Sequence, residues 1–153
     1  MRTFTNPPAV ASWSAKEAWR RAEIPASNGH GNARSVARVQ AILSHGGEID
    51  GTRYLSAAGC EAVFEEQSPG VDLVLGFPLT FGIGYSLHSE ATPVGVNPRT
   101  CYWRGWGGSI VVNDLDDQLT VAYVMNRMHG GPTLDDRAGA VVTAALAAAT
   151  ASR

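Results

Sequence analysis

Residues Trp103 to Ser109 read WRGWGGS, directly before the apolar run Ile110-Val111-Val112. Glycines cost conformational entropy and indoles need room, so this composition marks a place where backbone runs close to something or a ligand lies against it. Other chemistries find less support. His30, His45, His88 and His129 are scattered, and none has a second ligand at metal spacing. Asp114, Asp116 and Asp117 lack the ligand pattern and terminal Glu of a calcium loop, and they predict a hairpin turn instead. No glycine-rich turn leads into Lys-Ser or Lys-Thr, and Gly-x-Ser-x-Gly does not occur. Cys101 has no histidine near it in sequence, and an activated thiol needs a base or a positive environment.

The elements that would position this stretch come from a chain of 153 residues with 44% hydrophobic and 17% charged residues. That is enough for one domain with a real core. A net charge of −2 without a basic cluster speaks against nucleic acid as a partner. No apolar stretch is long enough to span a membrane, and the start, MRTFTNPPAVASW, lacks the apolar region of a secretory signal. Cys60 and Cys101 read as free thiols of a reducing compartment, so the expected location is the cytoplasm. Neither a metal nor a cofactor is expected.

A short helix is expected within Ser14–Ala22, with Arg20 and Arg21 solvated. A second runs from the cap Asn32 to Gly46-Gly47, with Val36, Val39, Ile42 and Leu43 at helical spacing. Asp50-Gly51 predicts a turn, and Ser56 caps a third helix with Cys60, Val63 and Phe64 inward. Three antiparallel strands are expected over Phe81–Leu87, Tyr102–Asn113 and Leu119–Arg127, the last two joined at DLDD. Val112, Val121, Tyr123 and Met125 should contribute to their buried layers. A final helix should start near Thr133, which would cap it, and bury a stripe of Val141, Val142, Ala145 and Leu146. The pattern is α+β: an antiparallel sheet flanked by helices.

Taken in order, PASNGHGNARSVARVQAILSHGGEIDG, FGIGYSL and YWRGWGGSIVVNDLDDQLTVAYVMNRM resemble the C-terminal part of the serine β-lactamase-like family. The similarity is strongest to the branch of carboxylesterases related to class C β-lactamases (family VIII). It implies the C-terminal portion of the β-lactamase/transpeptidase-like fold and a small acyl ester as the substrate of the complete protein. Catalysis in that family uses Ser-x-x-Lys, Tyr-x-Asn or Tyr-x-Ser, and a third box, Lys-Thr-Gly, which esterases replace with His-x-Gly or Trp-x-Gly. Trp103-Arg104-Gly105 falls where that box belongs. The resemblance then implies that Gly105 lets the strand approach the acyl group and that Trp106 N–H is an oxyanion donor. Gly107, Gly108 and Ser109 would let the strand continue beneath a helix. Arg104 departs from the small polar residue of the lactamase box, which argues against β-lactam carboxylate recognition of the usual form. Asn28 and His30 belong to an Asn-Gly-His segment of the esterase branch, either building a turn or touching substrate.

The rest of the machinery does not match. Lys16 is the only lysine, and Trp13 stands three residues before it, so Ser-x-x-Lys is absent. Tyr123 is followed by Val-Met-Asn, one residue too long, and Tyr54-Leu55-Ser56 lies in the wrong segment. The expectation is therefore a single partial domain, residues 1–153, carrying one wall of an active site without its nucleophile and inactive alone. Its partner would be a complementary N-terminal chain or a second copy. A non-catalytic binding module and an independent enzyme of other chemistry are the alternatives.

Overall fold

The computed structural model describes residues 8, 10–27, 29–130 and 135–152. A 3-10 turn at Ala11–Ala15 leads into α1 (Glu17–Arg21), whose Arg21 pairs with Glu17 on an exposed face. The helix α2 (Ala33–Ser44) starts at a capping box in which Asn32 Oδ1 accepts from Ser35 N–H and Ser35 Oγ accepts from Asn32 N–H. It stops at Gly46 and Gly47, both at positive φ, with Gly47 N–H reaching back to Ile42 O. The hairpin of β1 (Glu48–Ile49) and β2 (Thr52–Arg53) turns at Asp50-Gly51, both left-handed, as a tight two-residue loop requires. Ser56 caps α3 (Ala57–Ala62).

The main sheet has four antiparallel strands in the order β3 (Ser86–Leu87), β4 (Thr100–Arg104), β5 (Ile110–Asp114), β6 (Leu119–Tyr123). The expected strand over Tyr102–Asn113 is thus two strands. Gly107 and Gly108, at φ +99° and +112°, turn the chain back between them rather than extending it. The expected strand at Phe81–Leu87 shrinks to its last two residues. Gly84 at φ +81° bends the segment, and Phe81 pairs back through isolated bridges to Ser68 and Ser86. The third expected strand ends at Tyr123, short of Arg127.

Both faces of the sheet are covered. On one, Tyr102, Ile110, Val112 and Val121 meet Ala138, Val142 and Leu146 of α4 (Asp136–Ala151). Tyr123 joins this layer at its edge, Met125 is half-buried, and Val141 points to solvent. On the other, Cys101, Leu87 and Leu115 pack with Leu43 of α2 and Cys60 of α3, Val63 and Phe64 lying against them. The α2 stripe differs from the expected one. Val39 is 63% exposed, and Gln40 and Ser44 take the inward positions. Gln40 Oε1 accepts from Asn113 Nδ2 (2.9 Å) and Tyr85 OH (2.7 Å), while Thr120 Oγ1 bonds both Asn113 Oδ1 (2.9 Å) and Ser44 Oγ (2.8 Å). Polar residues of the helix thereby match polar residues of the sheet. Thr133 lies outside the described residues; the cap of α4 is Asp135, whose Oδ1 accepts from Arg137 N–H.

At DLDD, Asp114 is buried and accepts from Asp116 N–H, Asp117 N–H and Asn97 Nδ2. This side-chain mimicry of a backbone turn is what the aspartates were expected to supply. Gly82 packs directly on the end of α3: a Cβ there would lie 2.0 Å from Val63 O, which also accepts from Ile83 N–H.

Candidate functional site

The first three candidate residues close β4. Opposite residues of paired strands share a face, so Arg104, paired with Ile110, lies on the α4 side, and Trp103, paired with Val111, on the other. β3 pairs only with Cys101 and Tyr102, so Trp103 and Arg104 overhang it. Trp103 is 39% exposed and leans on Phe81. The guanidinium of Arg104 lies 5.2 Å from the centre of the Phe77 ring, a cation–π arrangement. Beside them opens an apolar cavity of about 210 Å³, walled by Leu75, Phe77, Leu79, Val94, Tyr102 and Ile110.

Beyond Arg104 the chain makes the β4–β5 turn. Gly105 N–H donates to Ser109 O (2.8 Å) and Gly108 N–H to Gly105 O (3.2 Å). Trp106 stands at the tip, 61% exposed, and among the described residues its N–H has no acceptor. Gly107 O accepts from His129 N–H at 2.7 Å, and Met125 and Met128 lie where a Gly107 side chain would be.

Trp103, Arg104, Gly105 and Trp106 therefore form one continuous feature. Asn28 lies outside the described residues. His30 is exposed on the approach to α2 and does not line the cavity. Cys101 adjoins the box in sequence but is fully buried on the α2 face, where desolvation pushes its thiol up to about 12, so it stays protonated. The contacts by which Asp135 and the His129 backbone N–H brace the glycine turn are not evident in the sequence, which shows only an acidic residue at the start of the last helix and a lone histidine. The available signal was the glycine pair itself, since adjacent glycines imply that something packs where their side chains would be.

Trp103 and Arg104 border the apolar cavity and Trp106 does not; an apolar cavity beside an overhanging strand end can seat the hydrocarbon part of a small molecule. Among the described residues no group of three or more His, Cys, Asp or Glu could hold a metal ion, and no helix is long and apolar enough to cross a membrane.

This fold and site define the class: the β-lactamase family model matches residues 2–146, and the chain belongs to that family. The esterase/β-lactamase LipL of Mycobacterium tuberculosis (strain ATCC 25618 / H37Rv) is 34% identical over 143 residues, which is 92% of this chain and 32% of LipL. The crystal structure of a family VIII carboxylesterase superposes with a TM-score of 0.84 at 33% identity, over 95% of this chain and 39% of that one. A penicillin-binding protein homolog from Caulobacter crescentus gives 0.79 at 34% identity, over 92% and 36%. The chain spans between 32% and 39% of the length of these relatives.

Proposed function

We propose that this chain is a partial domain that supplies one wall of an ester-hydrolysing, acyl-transferring site. Trp103-Arg104-Gly105 acts as its third box and Trp106 N–H as one oxyanion donor. The nucleophilic serine and its lysine come from outside this sequence, which contains no Ser-x-x-Lys. The observation that carries the reading is the Trp106 N–H, without an acceptor among the described residues in the turn that follows the overhanging strand end. A preorganised donor of this kind contributes about a hundred- to a thousandfold in rate. The adjoining cavity has the apolar lining suited to the hydrocarbon part of a small acyl ester.

β6 ends the sheet, and among the described residues no strand covers its outer edge. An open edge is a template for another strand, so the partner is a complementary N-terminal segment of the family or, failing that, a second copy. The cavity also supports a second reading, a binding module that uses the same cleft without catalysis, because it needs no nucleophile.

The test uses p-nitrophenyl butyrate. The chain alone should give no turnover above its Trp103→Ala variant, since an unactivated hydroxyl is a poor nucleophile. Co-expression with the portion of LipL preceding the matched region should restore hydrolysis, and Gly105→Val should remove it again. A stable acyl adduct on a serine of this chain alone would overturn the proposal. Binding of ester analogues without turnover in the assembled complex would favour the binding module.

A further inference from the structure

The carboxylate of Asp135 lies on the α-carbon of Gly108: a Cβ added to that glycine would sit 2.6 Å from Asp135 Oδ2 and 2.8 Å from Asp135 Cβ. We infer that Asp135, held by Arg137, is a positioning residue that fixes the β4–β5 turn and thereby aims Trp106 N–H. This inference rests on the oxyanion role proposed above.

Asp135 is more than an ordinary helix cap. A cap needs one acceptor for one N–H, is usually solvated, and is served equally well by serine or asparagine. Asp135 is only 2% exposed, and a buried carboxylate is costly unless its lone pairs are satisfied. One arginine satisfies them: Arg137 Nε donates to Oδ1 (2.9 Å) and Oδ2 (3.1 Å), Nη2 to Oδ2, and the Arg137 backbone N–H to Oδ1 (3.0 Å). Hydrogen bonding from Arg137 holds the carboxyl below its usual range, with a smaller contribution from His129.

The contacts then close into a ring. Arg137 Nη2 also donates to Arg127 O at 2.8 Å, and His129, two residues further on, donates its N–H to Gly107 O. Gly107 and Gly108 are thus gripped from both sides, by the segment after β6 and by the start of α4. Both are glycines at positive φ, and glycine has the most backbone freedom for a restraint to remove. The Trp106 peptide leads straight into this gripped pair. Its preceding residue, Gly105, is pinned by the hydrogen bond to Ser109 O. An oxyanion donor must hold its direction to within a few tenths of an ångström, and the ring gives a glycine-rich turn that rigidity.

Asp135→Ser is the informative variant, because serine keeps the helix cap and removes the carboxylate from Gly108. In the chain by itself, hydrogen exchange of residues 105–109 should accelerate about tenfold or more while α2 keeps its protection. In the complex assembled with the LipL portion, kcat for p-nitrophenyl butyrate should fall at least tenfold with KM little changed, and Asp135→Asn should fall between. Unchanged exchange at 105–109 overturns the inference, as does unchanged kcat in an active complex. An inactive wild-type complex would refute the proposed function instead, and the exchange experiment would still decide whether Asp135 holds the turn.

Discussion

The indole of Trp103 rests on the ring of Phe81, with centroids 5.4 Å apart and planes inclined by 51°. A tilted aromatic pair of this kind contributes about 1 kcal/mol beyond its buried area. Phe81→Ala should therefore lower the urea midpoint and shift the Trp103 emission to the red, while Phe81→Leu, which keeps most of the area, should do less. The backbone of Phe81 accepts from Gln67 and Ser68, bonds that neither substitution touches. An unchanged midpoint in Phe81→Ala would deny the pair any part in holding Trp103.

The three glycines of the turn should separate into two kinds. Alanine at Gly107 or Gly108 combines a positive φ with side chains already in place, Met125 and Met128 against one and Asp135 against the other. Each substitution should destabilise by about 2 kcal/mol or more. Gly105 is different: its added Cβ meets only Ser109 Oγ, which can rotate away. Gly105→Ala should keep the wild-type melting temperature and still impair hydrolysis in the assembled complex, because the new methyl group crowds the oxyanion side. Equal destabilisation by all three would contradict this division.

Gln40→Leu should cost more stability than its exposure suggests. It strands the Asn113 amide and the Tyr85 hydroxyl, both of which donate to Gln40 Oε1. An orphaned buried donor costs about 1–3 kcal/mol, so chemical denaturation should show a loss of roughly 2 kcal/mol or more. A neutral or stabilising Gln40→Leu would mean that the helix is held by its apolar contacts alone.

These residues also show where the sequence was readable. Asp50-Gly51 and the DLDD turn announce themselves, because their geometry arises from the residues' own backbone and side-chain preferences. The helix boundaries at Asn32, Gly46 and Ser56 are legible for the same reason. The Trp103–Ser109 hairpin was not, since a glycine pair ahead of an apolar run reads equally well as a strand that continues. The inward positions of Gln40 and Ser44 are hidden in the sequence, where Val39 fits the apolar spacing better, because their polarity makes sense only beside Asn113 and Thr120, on strands distant in sequence. The box residues were found through the family resemblance, whereas Asp135 depends on a contact that no local pattern encodes.

The buried thiol of Cys101 gives the protein an alkaline limit. In the unfolded chain a thiol loses its proton near 9.0, and in the folded chain near 12. Between these values the native state binds more protons, so stability is intact below pH 9 and declines as pH rises toward 12. Cys60 and Tyr85, both also raised by burial, act in the same direction. Denaturation midpoints measured from pH 8 to 11 should fall, and fall less steeply in Cys101→Ala. Iodoacetamide should leave Cys101 unmodified until the chain unfolds.

With no strand on the outer edge of β6 among the described residues, the isolated chain should associate as its concentration rises, and light scattering after size exclusion should report species heavier than 16.1 kDa. Co-expression with the LipL portion should suppress this. A monomer at all concentrations would remove the open edge as a driving force.

The close seat of Gly82 on the Val63 carbonyl carries a mechanical implication. No side chain intervenes to absorb movement, and the Ile83 N–H ties the same carbonyl down. Phe81, the next residue back, carries Trp103 on its ring. Helix α3, its terminal carbonyl, the Phe81 ring and the indole of the box are thus links in series, like rods joined end to end. Arg99 grips the outer face of α3 through Glu61. Loosening α3 should therefore be felt at the indole of Trp103 as well as at Gly82.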